Sequence, residues 1–321
     1  MQEINRRSLL SGLGTTALLG MTGGAIQAMA IRNFFERTGL PIGLQIYTLG
    51  ADVGRDLDAT FARVAQIGYR EIELPSLLGR QPAELAAAAS RAGLTIGSVH
   101  LPLLAAGGPT GLSLGSEPAL IADALGALGA RWVVAPILLL PSDFRLSPGE
   151  GFEAAISRSV AAAGADIWKK SAELLNLKAR ALKPLGINVG YHNHNLEFAP
   201  IGKTTGWEIL WRETQNDLVS FEVDLGWVAT AGLDPVRFLK RARGRVRLVH
   251  VKDVAAGNPT SYRISMLPAE VGSGTLDWSR ILPAAYAAGA RHFLVEQEPP
   301  FTIPRIEAAS RSFTFLSQVR A

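Results

Sequence analysis

The sequence predicts a single (β/α)8 barrel, and three observations carry that prediction. Eight short apolar runs of strand length alternate with helical stretches along the chain, the pattern of a parallel sheet covered by helices. Six of those runs follow closely on a glycine that ends a helical segment; glycine is the usual residue just past a helix because it accepts positive φ without steric cost. No run leads into a GxGxxG or P-loop sequence, which makes a doubly wound open sheet the weaker alternative.

In chain order the expected strands begin with IGLQIYT at 42–48. YREIEL follows Gly68, LTIGSVH follows Gly93 and ARWVVAP follows Gly129. INVGYH comes after Gly186 and LVSFEVD occupies 218–224. RVRLVHV comes after Gly244 and ARHFLVE after Gly289. Each is short and apolar enough to be buried on both faces. Helices are expected at 56–67, 82–92, 117–128, 153–183, 204–214, 235–243, 278–288 and 305–318. The stretch 153–183 contains Gly164 and is long enough to break there.

The chain has 321 residues, sufficient for one barrel. Hydrophobic residues make up 48% and charged residues 19%, a globular composition rather than a disordered one. The net charge of +4 includes no Lys/Arg run or basic stripe, so nucleic acid is not an expected partner. There is no cysteine, which excludes disulfides, thiolate metal sites and cysteine nucleophiles.

Residues 1–30 read as an export signal and 31–321 as the barrel. Arg6-Arg7 begins NRRSLLSG, a short glycine-rich apolar stretch follows, and Ala28-Met29-Ala30 supplies small residues at cleavage spacing. The segment resembles a twin-arginine signal. Its apolar stretch is too short and diluted for a spanning helix. A periplasmic or secreted protein without a stable membrane anchor is expected.

Chemistry is expected where the strands end, because their C-terminal ends converge on one mouth. Four of the five histidines, His100, His192, His194 and His250, lie at such ends, while His292 starts a strand. The same ends carry Gln45, Tyr47, Glu71, Glu73, Glu197, Glu222, Asp224, Lys252, Asp253, Glu296, Gln297 and Glu298. Residues two apart on a strand share a face, so one side chain from each of strands five to eight can meet in the mouth. His192, Asp224, His250 and Glu296 form such a set. Buried separately, they would need four independent partners; one divalent ion satisfies all four. Two imidazoles and two carboxylates suit Mn²⁺, Zn²⁺, Co²⁺ or Fe²⁺ better than Ca²⁺.

The motifs GLQIYTL, YREIELP, SVHLPL, YHNHNLEF, VDLGW, VHVKDV, VGSGTLDW and FLVEQE run in order along nearly the whole mature chain. As an ordered set they resemble the xylose isomerase-like barrel superfamily of sugar isomerases and epimerases, whose relatives include inosose dehydratase and endonuclease IV. The resemblance implies metal ligands at the ends of strands five to eight, here His192, Asp224, His250 and Glu296. His194 is the alternative to His192. Many members have glutamate at the His192 position, serving as both ligand and proton carrier; a neutral imidazole tied to metal cannot do the second task.

The resemblance implies a metal-dependent isomerase or epimerase of a sugar or keto-sugar, working by proton abstraction beside a carbonyl and a metal-held enediolate. Glu296 is the expected base, Lys252 or His100 donates to substrate oxygens, and Glu73 and Glu197 are further proton-transfer candidates. Tyr47, Trp227 and Phe198 are expected to form an apolar wall. A lyase or dehydratase using the same site is the main alternative, and a non-catalytic sugar-binding protein a further one. Endonuclease IV chemistry needs three metals, for which five histidines supply too few ligands.

Overall fold

A computed structural model describes residues 32–104, 111–141 and 144–321. The expected export segment lies outside the described residues. Eight parallel strands close a barrel: β1 (Gly43–Gln45), β2 (Glu71–Leu74), β3 (Thr95–His100), β4 (Trp132–Ala135), β5 (Asn188–His192), β6 (Val219–Asp224), β7 (Val246–Val251) and β8 (His292–Val295). Neighbours pair in sequence order, and Gly43↔Leu294 and Leu44↔Val295 join β1 to β8.

The outer layer is α1 (Leu57–Ile67), α2 (Pro82–Ala92), α3 (Pro118–Leu128), α4 (Phe152–Ala163), α5 (Ala165–Leu182), α6 (Gly206–Glu213), α7 (Pro235–Arg241), α8 (Trp278–Ala288) and α9 (Arg305–Leu316). Their starts are locally encoded. Asp56 and Asp234 accept N-cap bonds from Ala59 and Arg237, and Thr205 with Glu208 forms a capping box. Gly164 does break the long helical stretch: at φ 58° and ψ −137° it cannot continue α4, and α5 starts beside it. The first strand is shorter than 42–48. Gln45 turns its side chain back to accept from the Tyr47 N–H, and Ile46–Leu49 becomes a 3-10 turn.

Strand alternation divides the apolar residues. Val133, Val249 and Val295 join the main core outside the barrel, while their neighbours Val134, Leu248 and Leu294 form a separate cluster with Trp132 packed against it. This small apolar plug leaves the rest of the barrel interior to polar side chains.

One loop is fixed by a single carboxylate. Asp253 accepts from the N–H groups of Val254, Gly272 and Leu276 and from Trp278 Nε1, the last at 2.8 Å. The VGSGTLDW motif wraps this carboxylate, and a Cβ on Gly274 would overlap it. Asp253 therefore anchors structure instead of facing the mouth.

Glu71 also departs from expectation. It lies at the opposite end of β2 from the mouth, where its Oε1 accepts from His292 Nδ1 at 2.7 Å. Burial alone lowers the His292 pKa, but the bond to Glu71 and its negative charge more than reverse this, leaving it raised. A raised folded-state pKa gives stability that is fully present below the unfolded pKa of about 6.5 and lost as pH rises through the folded value. Urea midpoints should therefore fall more between pH 6 and pH 9 for the parent than for His292→Gln. Equal falls in the two proteins would contradict the linkage.

Candidate metal centre

The C-terminal ends of β5 to β8 bring His192, Asp224, His250 and Glu296 together, with one potential ligand atom from each lying within 4.8 Å of the others. All four are buried, the most open being Glu296 at 6% exposure. His250 Nδ1 is 2.8 Å from Glu296 Oε2 and 3.6 Å from Asp224 Oδ2. Adjacent ligand atoms around a divalent ion, each at about 2.1 Å, stand roughly 3 Å apart, so this spacing suits a shared cation.

Lys252 lies against the same oxygens. Its Nζ is 2.9 Å from Asp224 Oδ2, 2.8 Å from Glu296 Oε2 and 3.1 Å from Glu298 Oε1. Burial would lower the lysine pKa, but the three carboxylates raise it well above the ordinary value. Conversely, Lys252 and His250 overcome the burial of Glu296 and hold its carboxyl well below the usual range, so it is ionised at neutral pH. VDLGW supplies the space for this arrangement. A Cβ on Gly226 would stand 2.7 Å from Lys252 Cγ and 2.9 Å from its carbonyl oxygen, forcing the β7 end away.

The donor set fits a divalent ion. It offers two imidazole nitrogens and two carboxylates, Asp224 and Glu296, a mixed N/O set with two negative charges. Asp224 Oδ2 is buried and turned toward the quartet, where the Lys252 ammonium stands 2.9 Å and His250 Nδ1 3.6 Å away, and a buried carboxylate oxygen needs such a positive partner. The other oxygen, Oδ1, caps the short helix Leu225–Thr230 through the Trp227 N–H at 2.8 Å, fixing the carboxylate's direction.

Beneath this set is a second polar layer, which sequence reasoning did not assemble. Glu222 Oε2 receives His100 Nε2 at 2.8 Å and His192 Nδ1 at 3.1 Å. Glu73 Oε1 receives His250 Nε2 at 2.7 Å, Gln45 Nε2 at 2.8 Å and His100 Nε2 at 3.0 Å, and Ser98 Oγ donates to Glu73 Oε2. Burial raises Glu222 to about 7, with the Glu73 charge adding to it. Burial acts likewise on Glu73, but His100 and His250 prevail and lower it. The signal available in the sequence was that Glu222 shares a face with Asp224.

The remaining expected residues are placed as follows. His194 stands outside the ligand grouping; its Nδ1 is buried without a hydrogen bond and its ring is 5.7 Å from Trp227. Burial first, then the Lys252 charge, lowers its pKa to about 4. Glu197 has both oxygens engaged away from the cluster, accepting from Tyr191 Oη at 2.7 Å and the His194 N–H at 2.9 Å, and so braces the loop after β5. His100 and Glu73 belong to the lower layer. Tyr47 is 43% exposed and bordered by Glu298 and Glu296, as a mouth wall requires. Trp227 lies under Lys252, whose Nζ is 4.8 Å from the ring centroid. Phe198 does not face the mouth. It packs on Trp207 and Phe238 and lines a separate cavity of about 400 Å³ with Trp211 and Tyr262.

The closed barrel thus gathers a cluster of possible metal ligands at the C-terminal ends of its strands, where barrels of this kind carry their sites. The chain belongs to the xylose isomerase-like TIM barrel family, whose sequence pattern it matches over residues 61–319. It is similar to inosose dehydratase of Geobacillus thermodenitrificans, 30% identical over 152 residues, covering 43% of this chain and 50% of that enzyme. The chain thus spans about half the length of that relative. Among solved structures, a sugar phosphate isomerase/epimerase from Parabacteroides distasonis superposes with TM-score 0.64 at 24% identity, covering 87% of this chain and 94% of the other. The 3-keto-D-glucoside 4-epimerase from E. coli gives 0.58 at 19% identity, covering 86% and 98%. These structural likenesses establish the shared fold. Among the described residues no helix is long and apolar enough to cross a membrane.

Proposed function

We propose that the chain is a divalent-metal-dependent isomerase or epimerase of a sugar or keto-sugar, acting through proton abstraction beside a carbonyl. The observation that carries this reading is the buried quartet His192, Asp224, His250 and Glu296 at the barrel mouth. Mn²⁺, Zn²⁺, Co²⁺ or Fe²⁺ in that quartet would supply Lewis acidity, polarising the carbonyl and making the adjacent C–H more acidic. Glu296 stands at the edge of the quartet, where its carboxylate would accept the carbon-bound proton. Lys252 holds Glu296 and Glu298 in register by contacts of 2.8 and 3.1 Å, and its positive charge favours negative charge developing on a nearby substrate oxygen. Tyr47 offers an aromatic face to sugar C–H groups.

A second reading, elimination by a lyase or dehydratase, is supported by the similarity to inosose dehydratase and by a histidine at position 192. After the same proton loss, departure of a β-hydroxyl gives an enone. Incubating the loaded protein with a panel of keto-sugars separates the readings: an epimer or isomer in the NMR spectrum supports the first, and an enone absorbance the second. Binding without product or exchange across the panel would favour a sugar-binding protein instead.

Export is proposed alongside, on NRRSLLSG and Ala28-Met29-Ala30. N-terminal sequencing of exported protein should begin near Ile31. Full-length protein confined to the cytosol, unaltered by an Arg6→Lys/Arg7→Lys double change, would contradict it.

A further inference from the structure

We propose that Glu222 and Glu73 are positioning residues that dictate which ring nitrogen each liganding histidine presents, His192 acting through Nε2 and His250 through Nδ1. The inference rests on the metal reading of the mouth quartet and goes beyond it by assigning atoms.

Two four-residue groups of the site share the same pair of histidines. One is the mouth quartet; the other is His100, His192, Glu222 and His250. A neutral imidazole has one bare nitrogen and one N–H. Each shared ring can therefore serve only one group as a ligand, and its remaining nitrogen must donate to an acceptor. The lower layer supplies those acceptors. His250 Nε2 stands 2.7 Å from Glu73 Oε1 and 3.3 Å from Glu222 Oε2, whereas its Nδ1 faces Glu296 Oε2 and Asp224 Oδ2. His192 Nδ1 stands 3.1 Å from Glu222 Oε2, which leaves Nε2 bare.

The lower group is suited to accept hydrogen bonds and poorly suited to hold an ion. Its single carboxylate, Glu222, takes His100 Nε2 and His192 Nδ1 on Oε2, and Glu73 beside it takes His250 Nε2, Gln45 Nε2 and Ser98 Oγ. The mouth group instead has two carboxylates, Asp224 and Glu296, to the lower group's one, and so more negative charge to offer a divalent ion. A carboxylate behind each liganding histidine fixes its tautomer and makes the coordinating nitrogen more basic. Loss of such a partner typically weakens metal binding by about 10–100-fold.

The chain contains only five histidines, so ¹⁵N-histidine labelling gives a tractable spectrum. Long-range ¹H–¹⁵N correlations on the Zn²⁺-loaded protein, assigned with His192→Gln and His250→Gln, report which nitrogen is metal-bound and which carries a proton. We expect one Zn²⁺ per chain, His192 bound through Nε2 and His250 through Nδ1. Glu222→Gln and Glu73→Gln, checked for folding by circular dichroism, should each raise the Zn²⁺ Kd by about 10–100-fold. Binding of His250 through Nε2, or of His192 through Nδ1, overturns the proposal without touching the metal reading. So does a second Zn²⁺ per chain, or folded variants whose Kd stays within about twofold of the parent. Absence of Zn²⁺ binding by the parent overturns both. The tautomer measurement uses the unmutated protein and decides the question even where a glutamine variant does not fold.

Discussion

Replacing Asp224 or His250 with alanine is expected to remove bound divalent ion and turnover together. Each change deletes a side chain whose atom lies in the mouth quartet, and the loss of affinity should exceed the roughly 10–100-fold that an outer partner costs. The two variants differ in what else they disturb. Asp224→Ala also removes the cap on Leu225–Thr230 and one contact of Lys252. His250→Ala leaves Glu73 and Glu296 each short of a buried partner. Asp224→Asn keeps an oxygen for the cap, so it should fold like the parent and still bind metal poorly. Elemental analysis beside a urea melt checks these expectations. Stoichiometric metal with full turnover in a folded Asp224→Asn or His250→Ala protein would show that the quartet is not the site.

Glu296→Gln is expected to separate binding from chemistry. The amide keeps an oxygen in place, so ion affinity should weaken without disappearing. It cannot accept a proton from carbon, and substrate proton exchange should drop by about 10²–10⁴-fold, the usual contribution of a positioned base. An unchanged exchange rate would move the base elsewhere. Glu298 is then the first alternative: it lies two residues on along the chain, also contacts Lys252, and has an 18% exposed side chain. Glu197 is not favoured, because Tyr191 and the His194 backbone already occupy its two oxygens.

Much of this architecture was legible in the sequence because it is encoded locally. Glycines after helices and short apolar runs mark the (β/α) repeat, and all eight barrel strands fall within the expected segments. The mouth quartet was legible because two-residue alternation gives the face of a strand. Alternation does not give depth. Glu71 and Glu73 share a face, yet two residues advance a strand by about 6.6 Å; one pairs with His292 near the start of its strand and the other meets His250. The stagger of neighbouring strands likewise sets the depth at which Glu222 meets three imidazoles, and no spacing within one strand reveals it. Side-chain direction after a strand is equally hidden. Glu197 turns back to Tyr191, and Phe198 turns out to the Trp207 cluster, through the turn at Leu196–Phe198.

The central claim is that this mouth binds a divalent ion and uses it to loosen a proton beside a carbonyl. Deuterium incorporation into a keto-sugar panel in D₂O, followed by NMR, tests it most directly. Metal-loaded protein should label the carbon next to the carbonyl of at least one compound. Chelation should stop the labelling, and adding back a divalent ion should restore it. Labelling that continues undiminished after complete chelation, or no labelling of any compound by fully loaded protein, would contradict the account.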